Sequence, residues 1–158
     1  MTNLILALKL VHLLGAAVLL GTGLGIAFFM YMANRSRAPA FIAGTARVVV
    51  IADAVFTASA VVVQPLSGAA LAWTLSLSLG EPWIVLSLAL YVLVGLCWLP
   101  VVWIQIQLRR LAQGAAARDV ALPEIYHRLY RLWFMLGWPA FAGVIAIFAL
   151  MIWKPVWW

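Results

Sequence analysis

The sequence predicts an all-α fold, a transmembrane up-down-up-down four-helix bundle that forms a single domain over residues 1–158. Three observations predict it. The 158 residues are 68% hydrophobic and 9% charged, with a mean hydropathy of +1.14, where a soluble domain runs at about 45–50% apolar and about 25% charged. The apolar residues gather into four runs, each long enough for the roughly 20 residues that a helix needs to cross the hydrocarbon. The basic residues fall in the gaps between alternate runs. A water-soluble fold would have to show this apolar excess as large surface patches, which excludes a soluble enzyme, a secreted disulfide scaffold and a disordered tail. The period-2 alternation of a membrane barrel is missing, and without a closed barrel only helices satisfy every backbone group in lipid.

The first span is read at Leu4–Met32. It is about twice the length of a signal-peptide core, lacks a basic leader and has no convincing cleavage site after it, so it is expected to be retained. It carries Gly15 and then Gly21-Thr22-Gly23-Leu24-Gly25. Gly21 and Gly25 are four apart, a small-residue face that lets helix backbones approach within the bundle or against a second copy.

The second span is read at Arg47–Leu75, the third at Pro82–Leu108 and the fourth at Tyr126–Trp153. Each of these three contains a proline: Pro65, Pro100 and Pro139. Proline removes an N–H and frees the carbonyl four residues earlier, which for Pro65 is that of Val61. The segment Ala112–Ala121 reads as a small-residue connector.

Charge sets the topology. Arg35, Arg37 and Arg47 belong to the first connection, and Arg109, Arg110, Arg118, Arg128 and Arg131 to the third. The second has only Glu81, and Lys9 and Lys154 alone lie near the termini. This imbalance predicts loops one and three in the cytoplasm, with both termini on the outer side of the membrane. The net charge of +6 is thereby explained by the lipid bilayer, and nucleic acid is not expected as a partner. Trp73, Trp83, Trp153, Trp157 and Trp158 would form an outer aromatic belt, with Trp103 and Trp133 near the inner one.

Polar groups inside a membrane helix cost several kcal/mol unless paired, so each is a candidate functional residue. His12 lies nine residues beyond Asn3, about 13 Å deep at ~1.5 Å per residue. Gln64 in the second span and Tyr91 in the third fall near the same depth, giving one outer layer. His12 has two readings. Its imidazole bonds to Gln64, Tyr91 or a carbonyl released by Pro65, or it is an axial ligand to haem, with Gly15 and Ala16 giving the ring clearance. Toward the cytoplasm lie Asp53, Gln105, His127 and Arg131. Asp53 is expected to pair with Arg131, either as a fixed structural ion pair or in proton handling. His127 and Arg131 share a helix face, and His127 is expected at the interface. Cys97 reads as a buried packing residue. Two histidines and one cysteine form no recognised zinc or copper spacing.

The chain resembles, nearly end to end, a bacterial family of predicted integral membrane proteins of unknown function. The resemblance rests on Lys9-Leu-Val-His12-Leu-Leu-Gly15, Gly21-Thr-Gly-Leu-Gly25, Ala52-Asp53 and Gln64-Pro65-Leu66-Ser67-Gly68. Cys97-Trp98-Leu-Pro100 and Trp133-Phe-Met-Leu-Gly137-Trp138-Pro139 extend it. Asp53 is followed by Ala54 where many members carry tryptophan. More distantly, Lys9-x-x-His12 is similar to the opening helix of HemJ-type protoporphyrinogen oxidases and of CopD-like membrane proteins. That similarity implies haem b on His12; on this reading the protein is a membrane oxidoreductase exchanging electrons with a quinone or another redox partner, with Gln64 or Tyr91 tuning the other side of the haem. The reading from another class is a non-enzymatic scaffold, assembly partner or small-solute conduit, possible as a homo-oligomer through Gly21 and Gly25, in which His12, Gln64 and Tyr91 satisfy one another.

Overall fold

The computed structural model describes residues 2–155; Trp157 and Trp158 of the expected outer belt lie outside them. Four long helices follow one another: α1 (Thr2–Ser36), α2 (Pro39–Thr74), α3 (Pro82–Arg118) and α4 (Glu124–Trp153). All four are long and apolar enough to cross a membrane, and they form a bundle. The described residues contain no strand.

The helices overrun the boundaries expected from hydropathy, mostly at the end where the basic residues gather. α2 begins at Pro39, eight residues before Arg47, and only Arg37 and Ala38 separate it from α1. Proline at the first helical position fits, because its missing N–H would have no intrahelical partner there. α3 continues through Ala112–Arg118, where alanines favour helix, and stops at Asp119 in the left-handed conformation. The expected connector is thus mostly helix, and Ala112 and Ala115 are buried. Hydropathy marks the thickness of the lipid and not the end of the helix. At ~1.5 Å per residue, the 37 residues of α3 reach about 55 Å, well beyond the hydrocarbon.

The apolar core sits at this basic end. Ile26, Met30 and Ala33 of α1 meet Ile42, Ala46 and Val49 of α2, Ile104 and Leu108 of α3, and Tyr126 and Trp133 of α4. Trp133 is therefore a core residue and not a member of an inner belt, since its face of α4 packs inward. In the other half, α1 packs on the second half of α2 and α3 packs on α4. Gly143 admits Val94 there: a Cβ on the glycine would stand 2.7 Å from Val94 Cγ2. Large side chains such as Leu13, Leu66, Leu96 and Met135 point outward, as lipid-facing residues do, because acyl chains are as apolar as leucine. Gly21 is exposed, and no neighbouring side chain comes within 4 Å of its Cβ position, so the Gly21/Gly25 face seats no other helix of the bundle.

The prolines Pro65, Pro100 and Pro139 lie within helices that continue past them. The unforeseen irregularity is a π turn at Asp53–Thr57 in α2. There the Ala58 N–H reaches back to the Asp53 carbonyl, five residues earlier. The Ser59 hydroxyl donates to the carbonyls of Val55 (2.7 Å) and Phe56 (3.0 Å), which occupies acceptors that the wider turn loosens.

Candidate functional site

The layer expected around His12 forms, but through bonds other than the obvious ones. α1 and α2 run antiparallel, which sets His12 opposite Gly68 and Gly15 opposite Gln64. On each helix, a polar residue and a glycine lie within four positions and share a face. The Gln64 amide fills the space beside Gly15, 2.9 Å from where a Cβ would stand, and donates to the His12 carbonyl at 2.8 Å. The His12 imidazole in turn lies against Gly68, with Cε1 at 3.3 Å from the glycine's Cβ position.

His12 Nδ1 lies 2.8 Å from the Ser67 hydroxyl. That hydroxyl donates to the Val63 carbonyl at 2.7 Å. A hydroxyl has one proton, so Ser67 accepts from His12, and the assignment that satisfies these atoms puts the imidazole proton on Nδ1. Nε2 then carries the lone pair, and among the described residues no hydrogen-bond partner meets it.

Tyr91 reaches the layer from α3. Its hydroxyl donates to the Val61 carbonyl, the acceptor that Pro65 frees. Tyr91 thus completes α2 and does not touch the imidazole. Ser67 was missed by sequence reasoning as a partner of His12, although its spacing in Gln64-Pro65-Leu66-Ser67-Gly68 puts it one turn beyond Gln64 on the same face.

The second cluster disperses. Asp53 is 4% exposed, and its Oδ1 accepts from Trp98 Nε1 on α3 at 3.2 Å. Arg131 is exposed and makes no ion pair with it. Among the described residues the one ion pair is Arg128–Glu124, at 3.6 Å and on the surface. The expected Asp53–Arg131 pair fails on position. With α2 starting at Pro39, Asp53 lies about four turns into the helix and not two, while Arg131 faces outward from α4. Gln105 is buried, and its Oε1 finds no partner. The same holds for the hydroxyls of Tyr126 and Tyr130 and for Trp133 Nε1, on a face where Tyr126, Tyr130 and Trp133 stack in sequence at 6.3 and 5.8 Å. His127 is exposed, edge-on to Tyr126, and borders an open cleft of about 880 Å³ between the first and third connections.

Of the residues brought together, His12 alone offers a cofactor a free ring nitrogen. Gly15 does not offer the expected clearance, because Gln64 already fills it. A family model described as "Predicted integral membrane protein (DUF2269)" matches residues 6–155. No curated protein and no solved structure matches the chain.

Proposed function

The chain belongs to the family of predicted integral membrane proteins DUF2269, and from that premise we propose that it is a non-enzymatic membrane module whose His12 layer is a structural clasp. One observation carries this reading: His12 Nδ1, the Gln64 amide and the Ser67 hydroxyl are used between α1 and α2, with the His12 and Gln64 side chains each seated on the other helix's glycine. Without a hydrophobic drive between helices in lipid, such close packing and interhelical hydrogen bonds supply the association. Each bond contributes about 0.6 kcal/mol on average and up to about 1.7 in measured membrane proteins. The test is thermal unfolding of the purified protein in detergent. His12→Ala removes the imidazole from Gly68 and from Ser67, and its melting point should fall. An unchanged melting point would refute the clasp.

The Nδ1 bond to Ser67 favours a second reading, haem b on His12. A metal-ligating histidine nearly always donates its other ring N–H to a fixed acceptor, which sets the tautomer and the ring orientation, and Ser67 stands in that position. Bound through Nε2, haem would supply one-electron chemistry. The donor nitrogen fits; the clearance at Gly15 does not, so Gln64 would have to turn aside. A Soret band in protein purified with haem supplied, lost in His12→Ala, would favour this reading over the clasp. A colourless preparation would remove it.

The placement that goes with both readings is a bacterial inner membrane, with the basic end cytoplasmic and the termini outside. Single cysteines introduced at Ser78 and Ala117 of a Cys97→Ser protein would test it. Ser78 should react with an impermeant maleimide in intact cells, and Ala117 only after lysis.

A further inference from the structure

The π turn holds polar atoms that the His12 layer does not use. Asp53 Oδ2 is buried and makes no hydrogen bond. The Thr57 hydroxyl, four residues on, lies alongside the same carboxyl, buried and short of hydrogen-bond geometry. Only Oδ1 is satisfied, by Trp98 Nε1.

Nothing nearby balances a negative charge at this point. α1 has no charged side chain between Lys9 and Arg35, α3 has none between Glu81 and Arg109, and α4 has none between Arg131 and Lys154. On α2 itself the nearest charge is Arg47, six residues back and exposed. Counting along the antiparallel pair from Gly15 and Gln64 puts Asp53 level with Ile26 of α1, where Thr22, one turn back, is the one polar residue among glycines and apolar side chains from Leu19 to Met30. The nearest titratable groups along α1 and α3 are Tyr31, five residues past Ile26 and exposed, Cys97 beside Trp98, and Tyr91, about two turns from Trp98, whose proton is committed to Val61. A carboxylate buried without a cation costs several kcal/mol, and one bound proton removes that cost.

We infer that Asp53 is a proton-exchanging carboxyl within the bundle, with Trp98 positioning Oδ1 and Thr57 receiving the proton-bearing Oδ2. In the exchange a proton from water adds to Oδ2 and later returns to water; no electron moves and no other bond changes. In the neutral form, Oδ2–H donates to Thr57 Oγ1, which gives partners to both unpaired atoms. π turns are frequent at functional sites, and the four-residue spacing sets the Asp53 carboxyl and the Thr57 hydroxyl on one face of this one. The inference is independent of the clasp and of haem at His12.

The test is labelling with dicyclohexylcarbodiimide, which reacts with protonated carboxyls in apolar surroundings. The full chain is reconstituted in phosphatidylglycerol–phosphatidylethanolamine vesicles and the adducts are mapped by peptide mass. An adduct should form at Asp53, and its rate should fall about tenfold per pH unit above the midpoint. Asp53→Asn should give none at that peptide. Trp98→Phe removes the donor that favours the ionised form, so at a fixed alkaline pH its labelling should rise several-fold. An aspartate that stays ionised throughout would show neither the adduct nor the shift. Three results would overturn the inference: no adduct at Asp53 in the folded protein, a rate that ignores pH, or protection by sodium or potassium ions at constant pH, which would make the site a cation site. Should Asp53→Asn fail to fold, the wild-type pH profile and the Trp98→Phe shift still decide.

Discussion

The His12 imidazole rests on Gly68, its Cε1 3.3 Å from the point where a Cβ would stand. Gly68→Ala therefore pushes on the ring, and the ring cannot retreat without stretching its 2.8 Å contact with Ser67. Gly68→Ala should cost about 1–3 kcal/mol, the usual penalty for overpacking. Gly21→Ala meets nothing within 4 Å and should be neutral or slightly stabilising, since alanine favours helix. Thermal unfolding in one detergent ranks the two. Equal effects would mean that the α1–α2 contact is not as described.

Gly143→Ala should be the most damaging glycine substitution of the set. Its new methyl group would stand 2.7 Å from Val94 Cγ2. A β-branched side chain on a helix has one strongly preferred rotamer and cannot swing clear. The α3–α4 pair would have to separate. Val94→Ala added to Gly143→Ala should recover most of the loss, a coupling that a double-mutant cycle reads directly.

Arg131 supplies a check on the second cluster. Because it is exposed and does not reach Asp53, Arg131→Gln should shift stability by no more than about 0.5 kcal/mol, as surface substitutions do. Had it balanced a buried carboxylate, its loss would cost about 3–5 kcal/mol. The melting point of Arg131→Gln beside the wild type separates these outcomes by a wide margin.

These cases show which parts of the structure the sequence made legible. The four spans were readable because hydropathy over a long run is a strong signal, and the depth of His12, Gln64 and Tyr91 followed from helical rise alone. Depth fixes a layer but not the partners within it. The reciprocal seating of His12 on Gly68 and Gln64 on Gly15 depends on the rotation of each helix, which near-uniform hydrophobicity leaves unmarked. The same ambiguity put Trp133 at an interface when its face of α4 belongs to the core. Helix ends were misplaced because Pro39–Ala46, opened by a proline at the first helical position, and the alanine-rich Ala112–Arg118 continue as helix outside the most apolar runs. Asp53 thus lies about four turns from the start of α2, while Arg131, about two turns into α4, faces outward. The π turn has no sequence signature beyond Asp53, Thr57 and Ser59 at four- and two-residue spacings, and the bond between Asp53 and Trp98 depends on how α2 and α3 are rotated.

Pro65 and Tyr91 allow the most discriminating test. Proline frees the Val61 carbonyl, and the Tyr91 hydroxyl takes it up from α3. Tyr91→Phe alone leaves that carbonyl without a donor and should cost up to about 1.7 kcal/mol, the upper end for interhelical bonds in a membrane protein. Pro65→Ala restores a backbone N–H four residues from Val61, so the carbonyl regains a partner within α2. In the Pro65→Ala background, Tyr91→Phe should then cost much less, because the hydroxyl it removes is no longer needed. The cycle is read from four melting curves in the same detergent. If the two substitutions add without coupling, the tyrosine is not serving the acceptor that proline released, and the link between α2 and α3 at this depth rests on packing alone.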